Sequence, residues 1–194
     1  MRRQWADLLQ QYVESGGTLI IENVPGWYTD LTGEPLNEWE KVTGDAAPGT
    51  VKFAELSGIR FRHSPRGAVT KIHMVDEHPL TEGMEEPGQW FDIPWPGGPT
   101  SYAYLAYPVT VGSAQVLIEA EQEACPYDGV AYVRRGTING VYPLLTVNQI
   151  GRGMVIRHYA DVSLTTALGP ERFDRFCANL VKFVRTRYNS SRTD

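Results

Sequence analysis

A histidine-rich segment near the middle of the chain carries the side chains best suited to metal chemistry. His73, Asp76 and His78 lie within six residues, and imidazole and carboxylate groups are common ligands of zinc and similar divalent ions. On a strand, His73 and Asp76 point to opposite faces, so both reach one ion only if the chain turns at Asp76. A metal-dependent hydrolase is therefore one hypothesis. The alternative, which we expect, is that His78 opens a surface turn and His73 packs on a strand, with no metal and no cofactor.

Two acid–base candidates end apolar runs that predict buried strands. Glu22 ends the run Thr18–Glu22, and His158 follows a run that starts at Met154. Ligand sites of open α/β sheets gather at the carboxyl ends of strands, where these two side chains could act as acid and base on a carbohydrate-like substrate. Otherwise His158 caps the sheet, and Glu22 forms a hydrogen bond with the Pro25-Gly26 turn. The neighbours predicted to line a ligand pocket there are Asn23, Tyr159 and Asp161.

Aromatic residues are concentrated in segments that also contain proline and glycine. The flat face of an aromatic ring, with carboxylates and amides nearby, suits a sugar ring, whereas burial or a protein interface is the competing interpretation. The aromatic residues predicted to bind ligand are Trp27, Tyr28, Trp90 and Trp95.

Neither of the two cysteines is predicted to be reactive. Cys125 lies in a loop, before a proline, with no helix N-terminus to lower the pKa of its thiol. Cys177 falls on the apolar stripe of a predicted helix, which indicates core packing. Two cysteines fit a reduced cytoplasmic protein better than a disulfide scaffold.

The hydrophobic pattern predicts the elements that position these residues. Apolar residues repeat with helical spacing from Arg2 to Ser15, and Gly16-Gly17 ends that helix. The continuous apolar run Thr18–Glu22 is typical of a strand covered on both faces. A final amphipathic helix runs from Pro170 to about Arg187. Further strands are predicted at Ile59–Arg62, Ala68–Val75, Ala114–Glu119, Val130–Arg134, Leu144–Val147 and Met154–Tyr159.

Length and charge limit the kind of protein. With 194 residues, the chain is predicted to form one domain over residues 1–188, followed by a disordered tail at 189–194. A formal net charge of −5 counts against a nucleic-acid binder. No apolar run approaches the ~20 residues that span a bilayer, and the N-terminus lacks the apolar core of a secretion signal. We therefore expect a cytoplasmic protein that does not bind membranes.

Three motifs, in order, resemble the class I glutamine amidotransferase-like superfamily, and within it the trehalose-utilisation-like and β-galactosidase-trimerisation-like branches. They are the helix, V-x-x-G-G and buried strand of residues 9–21, the segment His78–Met84, and the segment Pro143–Val155, where Met154 replaces an arginine. A closing helix over 172–187 matches as well. The resemblance implies an α/β, flavodoxin-like fold with a mainly parallel sheet flanked by helices.

Two departures from that family change what the resemblance implies. The family's first strands precede the V-x-x-G-G helix, so we expect an N-terminally truncated domain, with a β-rich insertion around residues 100–147. Members that hydrolyse glutamine carry a nucleophilic cysteine after the strand equivalent to Thr18–Glu22, where this chain has Asn23-Val24-Pro25-Gly26. Glutamine hydrolysis is therefore not expected, since a thiolate is the required nucleophile.

The prediction for function is a catalytically degenerate module that binds a small ligand, with a sugar as the first class to test, or that serves assembly. The two enzyme hypotheses above are the alternatives. Truncation would leave Thr18–Glu22 at a sheet edge, which soluble proteins normally cover. We therefore predict a homodimer through the first helix, the strand Leu19–Ile21 or the segment Trp90–Trp95. Closure of that edge by strands from 100–147 is the competing interpretation.

Overall fold

A computed structural model describes residues 3–22, 55–61, 67–93, 105–126, 133–160 and 163–190. The side chains predicted to bind ligand at Asn23, Trp27, Tyr28, Trp95 and Asp161 lie outside these ranges. Among the helices of the described ranges, none is both long and apolar enough to cross a bilayer.

The described chain forms three helices and nine strands. In chain order they are α1 (Arg3–Glu14), β1 (Thr18–Ile21), β2 (Ile59–Phe61), β3 (Gly67–Met74), β4 (Trp90–Asp92), β5 (Leu105–Ala106), β6 (Val109–Val111), β7 (Gln115–Ala124), β8 (Ile138–Ile150), β9 (Gly153–His158), α2 (Leu164–Leu168) and α3 (Pro170–Ser190). The predicted positions of both long helices and of β1, β2, β3 and β9 are confirmed to within a few residues. The stretch 100–147, predicted to be rich in strand, contains β5, β6, β7 and most of β8.

Seven strands form one mixed sheet in the order β1-β9-β8-β7-β3-β4, with β5 beside β3. Only β1 and β9 pair in parallel among the described strands, and the other pairings are antiparallel. The prediction of a mainly parallel sheet is therefore wrong. The reason lies in the connections: β8 and β9 are joined by a tight turn at Gly151 (φ 55°) rather than by a crossover helix. Strands β2 and β6 form a separate antiparallel pair.

Helices cover the two faces of the sheet. On one face, α3 packs Phe173, Phe176 and Leu180 against a core that includes Ile72 and Ile118. Helix α3 continues to Ser190, so Asn189 and Ser190 belong to it rather than to the predicted tail.

On the opposite face, α1 packs Val13 against Ile21 and Val155 at the β1–β9 end of the sheet. The two helices therefore lie on opposite faces of one sheet, as expected of an α/β protein.

Strand β1 lies at one end of the sheet formed by the described strands. Its described strand neighbour is β9, and the strands from 100–147 lie elsewhere in the order. None of the described strands from 100–147 pairs with β1, and residues 100–104 and 127–132 of that stretch lie outside the described ranges.

Candidate functional site

The acid–base candidate at the end of β9 is deeply buried. His158 is 1% exposed, and burial lowers the pKa of its imidazole from 6.5 to about 3. The ring is therefore neutral at physiological pH and lies away from solvent. This corrects the expectation that His158 borders an open pocket at the sheet edge.

The neighbouring tyrosine is part of the core. Tyr159 is completely buried, its hydroxyl lies 2.7 Å from Thr146 Oγ1, and burial raises the pKa of the phenol to about 12. The guanidinium of Arg157, also buried, lies 5.5 Å from the centre of the Tyr159 ring. Tyr159 therefore stabilises the packing of β9 instead of lining an open pocket.

The carboxylate predicted as the second acid–base group lies at a helix start. Glu22 Oε1 accepts a hydrogen bond from the Leu164 backbone N–H at 3.1 Å, beside the N-cap Ser163 of α2. Side-chain acceptors at a helix start satisfy backbone donors that have no partner within the helix. Glu22 thus contributes to the capping of α2, a role that the sequence did not predict; the turn at Pro25-Gly26, its other predicted partner, lies outside the described residues.

A second cluster of polar groups lies on the face of the sheet opposite α3, near β4. Directly paired residues of neighbouring strands share a face. His73 on β3 pairs with Trp90 on β4 and with Glu119 on β7, whereas the alternate residue Ile72 belongs to the core under α3. We call this surface the tryptophan face. Its members are Lys71, His73, Trp90, Asp92, Glu119 and Glu121.

Three of these side chains form a connected row. The ring of Trp90 is 41% exposed, and its centre lies 4.1 Å from that of His73 at an interplanar angle of 49°. His73 Nε2 lies 3.2 Å from Glu119 Oε2, and His73 Nδ1 lies 3.1 Å from the Met74 carbonyl. The imidazole is thus held between an indole and a carboxylate, which fixes the orientation of the exposed tryptophan.

Charged side chains border this row. Lys71 pairs with Asp92 on β4 and with Glu121 on β7, and Glu121 Oε1 accepts a 2.6 Å hydrogen bond from Thr70. The surface therefore offers an aromatic ring, hydrogen-bond acceptors and one cationic donor on strands instead of loops. Such an arrangement can hold a small polar ligand in one orientation.

Sequence reasoning predicted Trp90 as a ligand residue but did not join it to His73 or to Glu119. A usable signal was present: Glu119 and Glu121 flank Ala120, the alternation of a strand with one polar face. The predicted strand ended at Glu119, so this alternation was missed.

The three residues considered as metal ligands, His73, Asp76 and His78, do not come together at one site. His78 Nδ1 accepts a hydrogen bond from the Leu80 backbone N–H at 3.1 Å, and its ring centre lies 5.6 Å from that of Phe183 on α3. Burial lowers the pKa of His78. Within the ranges that the structure describes, no group of three or more His, Cys, Asp or Glu side chains is placed to hold a metal ion. His73, Asp76 and His78 are therefore separate, as the turn interpretation expects.

The turn that contains His78 forms a groove of about 710 Å³ over residues 74–87. Its acidic side chains are partly neutralised by α3: Arg172 Nε donates to Glu85 at 2.7 Å, and Lys182 to Glu82 at 3.1 Å. These contacts hold the turn against α3. The acidic residues of the groove are therefore explained by the packing of the turn on the helix.

The thiols are protonated at neutral pH. Burial raises the pKa of Cys125, which is 1% exposed, and the charge of Glu123 raises it further. Burial also raises the pKa of Cys177, followed by the charges of Asp174 and Glu22. Cys125 is buried where a loop thiol was predicted, and Cys177 is only half-buried where core packing was predicted.

No protein-family model and no curated protein matches this sequence. Solved structures share its fold. A β-galactosidase from Rahnella sp. R3 is 16% identical with a TM-score of 0.55, the match covering 95% of this chain and 21% of that one. A β-galactosidase from Bacillus circulans sp. alkalophilus is 16% identical with a TM-score of 0.52, covering 94% and 21%.

A smaller protein is similar as well. The cytoplasmic protein STM1381 of Salmonella typhimurium LT2 is 18% identical with a TM-score of 0.51, and the match covers 93% of this chain and 60% of that one. Of the two β-galactosidases, in contrast, the chain spans only about a fifth of the length. At these identities the similarity establishes the fold.

Proposed function

We propose that this chain is a non-catalytic module that binds a small carbohydrate on the tryptophan face. The observation that carries the proposal is the exposed indole of Trp90, held in place by His73 and Glu119. A fixed aromatic ring offers apolar contact without the entropy cost of ordering a flexible side chain.

A sugar matches the chemistry of this surface. The C–H bonds of a pyranose ring lie on its faces and its hydroxyls lie at its edges. The indole suits the apolar face of such a ring, while Asp92 and Glu119 accept hydrogen bonds from hydroxyls and Lys71 donates one. A purely apolar ligand would leave these polar groups unpaired, which costs binding free energy.

Shared fold supports a carbohydrate-related role. The similar structures include β-galactosidases, and the motifs at residues 9–21, 78–84 and 143–155 resemble carbohydrate-linked branches of the amidotransferase-like superfamily. We propose that the domain is a flavodoxin-like relative of that superfamily. The activity of the much longer β-galactosidases is not part of the proposal.

Catalysis is the weaker alternative because both acid–base candidates are engaged in the fold. His158 is buried and neutral, and Glu22 accepts a hydrogen bond from the start of α2. Because His158 is buried, a substrate at the exposed Glu22 cannot also reach the imidazole. We therefore expect binding without turnover.

The test is binding of a panel of mono- and disaccharides, first by thermal shift and then by calorimetry. We expect one class of sugar to bind wild type, and Trp90→Ala to weaken that binding by at least about tenfold, roughly 1.4 kcal/mol. Val111→Ala removes an apolar side chain, 44% exposed, from β6 of the separate strand pair and is the control with unchanged affinity. Unchanged affinity in Trp90→Ala, or turnover of the bound sugar, would contradict the proposal.

Assembly is the second candidate function. The observation that favours it is the position of β1 at the end of the sheet, with the apolar side chains Leu8, Tyr12 and Ile20 exposed beside it.

A further inference from the structure

Exposed apolar side chains are concentrated around strand β1. Five of the nine large hydrophobic side chains that are most exposed in the described part of the chain belong to α1, β1 or α3. We call these five the apolar band. They are Leu8 (61% exposed), Tyr12 (50%), Ile20 (44%), Val181 (56%) and Tyr188 (56%).

The α3 members of the band lie on the side of that helix nearest β1. The turn at residues 78–85 follows β3, at the end of the sheet away from β1, and it contacts the Asn179 flank of α3. The opposite flank, which includes Cys177, therefore lies toward β1. Val181 and Tyr188 lie four and eleven residues further along, at nearly the same angle around the helix. The other flank of α3 contacts the turn at residues 78–85 through Asn179 and Arg172.

Strand β1 has backbone N–H and C=O groups that point away from β9. Met154 N donates to the Gly17 carbonyl at 3.0 Å, and alternate residues of a strand direct their backbone groups to the same side. The backbone N–H and C=O groups of Leu19 and Ile21 therefore point toward β9, whereas those of Thr18 and Ile20 point away from it. The Tyr12 hydroxyl donates to the Thr18 carbonyl at 3.4 Å. The Thr18 N–H and both backbone groups of Ile20 then point to the open edge of the described sheet.

We propose that the apolar band is a homodimer interface in which the β1 strands of two copies pair antiparallel about a two-fold axis at Ile20. This deepens the assembly role and is independent of carbohydrate binding. In an antiparallel hydrogen-bonded pair, two opposite residues exchange both N–H···O bonds. When a two-fold axis passes between the Ile20 residues of two copies, the N–H and C=O of each Ile20 bond to the C=O and N–H of the other.

Charge favours a second copy in this orientation. The Glu22 end of β1 is acidic, because Glu22 contacts the start of α2 and Asp174 lies in the first turns of α3, which follows α2 directly. At the Thr18 end, Arg152 donates to the Ser15 carbonyl at 3.3 Å and Arg187 to the Arg152 carbonyl at 3.0 Å. These two arginines outnumber Glu14, the last residue of α1. Antiparallel pairing places the acidic end of one copy beside the basic end of the other, whereas parallel pairing would place like charges together.

Asp174 and Arg185 provide a specific pair for this charge argument. They lie eleven residues apart on α3, at nearly the same helical angle and on the side of Val181. Across the proposed axis, Asp174 of one copy faces Arg185 of the other. A partner of different sequence would have no reason to match this arrangement.

The first test is molar mass by light scattering at micromolar concentration. Wild type should have twice the monomer mass of 21.7 kDa, and Ile20→Lys should have the monomer mass because it places two like charges at the axis. Ile138→Lys, at a 52% exposed site on β8, is the matched control and should stay dimeric. Circular dichroism at each variant's melting transition verifies folding. A monomeric wild type, or a dimeric Ile20→Lys, would overturn the proposal.

A charge exchange separates this dimer from pairing with another protein. Arg185→Glu and Asp174→Arg should each weaken the dimer by at least about tenfold. The double variant Asp174→Arg/Arg185→Glu should restore it, since the opposite charges again meet across the axis. Failure of the double variant to restore the dimer contradicts the orientation.

Cross-linking tests the axis directly. In a Cys177→Ser background, Ile20→Cys should form an intermolecular disulfide, because Cα atoms of a hydrogen-bonded antiparallel pair lie about 5.5 Å apart, within disulfide range. Ile138→Cys should not. Trp90→Ala should remain dimeric whether or not it binds sugar, so failure of the interface and failure of the carbohydrate site give different results. No cross-link at Ile20→Cys places the contact elsewhere, including at the tryptophan face.

Discussion

A buried imidazole such as that of His158 links the stability of the fold to pH. Its pKa is about 3 in the folded chain, against an ordinary value of 6.5. Between these values the unfolded chain binds the proton and the folded chain does not. Protonation therefore favours unfolding, and stability falls as the pH drops through this window.

The first prediction is that this loss disappears in a His158→Gln variant. In wild type, His158 should contribute a loss of up to about 1.4 kcal/mol per pH unit below about pH 6. Urea unfolding between about pH 7 and about pH 5 measures the slope for both proteins, and their difference isolates His158 from the other titrating groups. Equal slopes would contradict the burial of this ring.

Only part of the tryptophan face could be predicted from residue types. Trp90 and His73 were each singled out, but the row from Trp90 through His73 to Glu119 depends on the register of β3 with both β4 and β7. That register includes a bulge between Val69 and Lys71, which moves Lys71 and His73 to the open face. No spacing along the sequence contains this information, because a bulge inverts the side-chain alternation after it.

At the scale of elements, Gly153 allows α1 and β1 to approach β9 closely. A Cβ atom at this position would overlap the backbone carbonyl oxygens of Val13 and Gly17. These atoms cannot move without separating the helix or the strand from β9, since Gly17 also accepts the hydrogen bond from Met154.

We therefore expect Gly153→Ala to destabilise the fold by about 3 kcal/mol or more, the upper range for overpacking. Gly112→Ala is the matched control, because a Cβ there would lie 3.4 Å from its nearest neighbour, the Gly58 carbonyl oxygen. Its effect on chemical denaturation should be within about 1 kcal/mol. Similar midpoints for the two variants would mean that α1 does not contact β9 in this way.

Elements with an uninterrupted apolar pattern were predicted well, and those with mixed patterns were not. The runs in α1, β1 and β9 give clear periodicity. Strand β8, in contrast, extends over 13 residues, of which the prediction recovered Leu144–Val147, because Gly140 and Pro143 normally break strands. The parallel sheet was inferred from continuous apolar runs, but β9 has both faces buried while pairing antiparallel with β8.

For the whole molecule, the order of the strands separates its two proposed surfaces. The tryptophan face lies at the β4 end of the sheet and the apolar band at the β1 end. A two-fold dimer through β1 would carry two tryptophan faces at its far ends. Ligands with two linked sugars would then gain affinity from both sites when the linker spans them, without any new contact.

The parallel pairing of β1 with β9 also sets an order of events during folding. Thr18 pairs with Met154, so β1 cannot pair until β9, more than 130 residues further along the chain, is in place. Closing so long a loop is entropically costly and slows folding. In pulse-labelled hydrogen exchange during refolding, the amides of Leu19 and Ile21 should gain protection together with β9 and after the β7–β8 hairpin. Protection of β1 ahead of that hairpin would show that α1 and β1 form a stable unit by themselves.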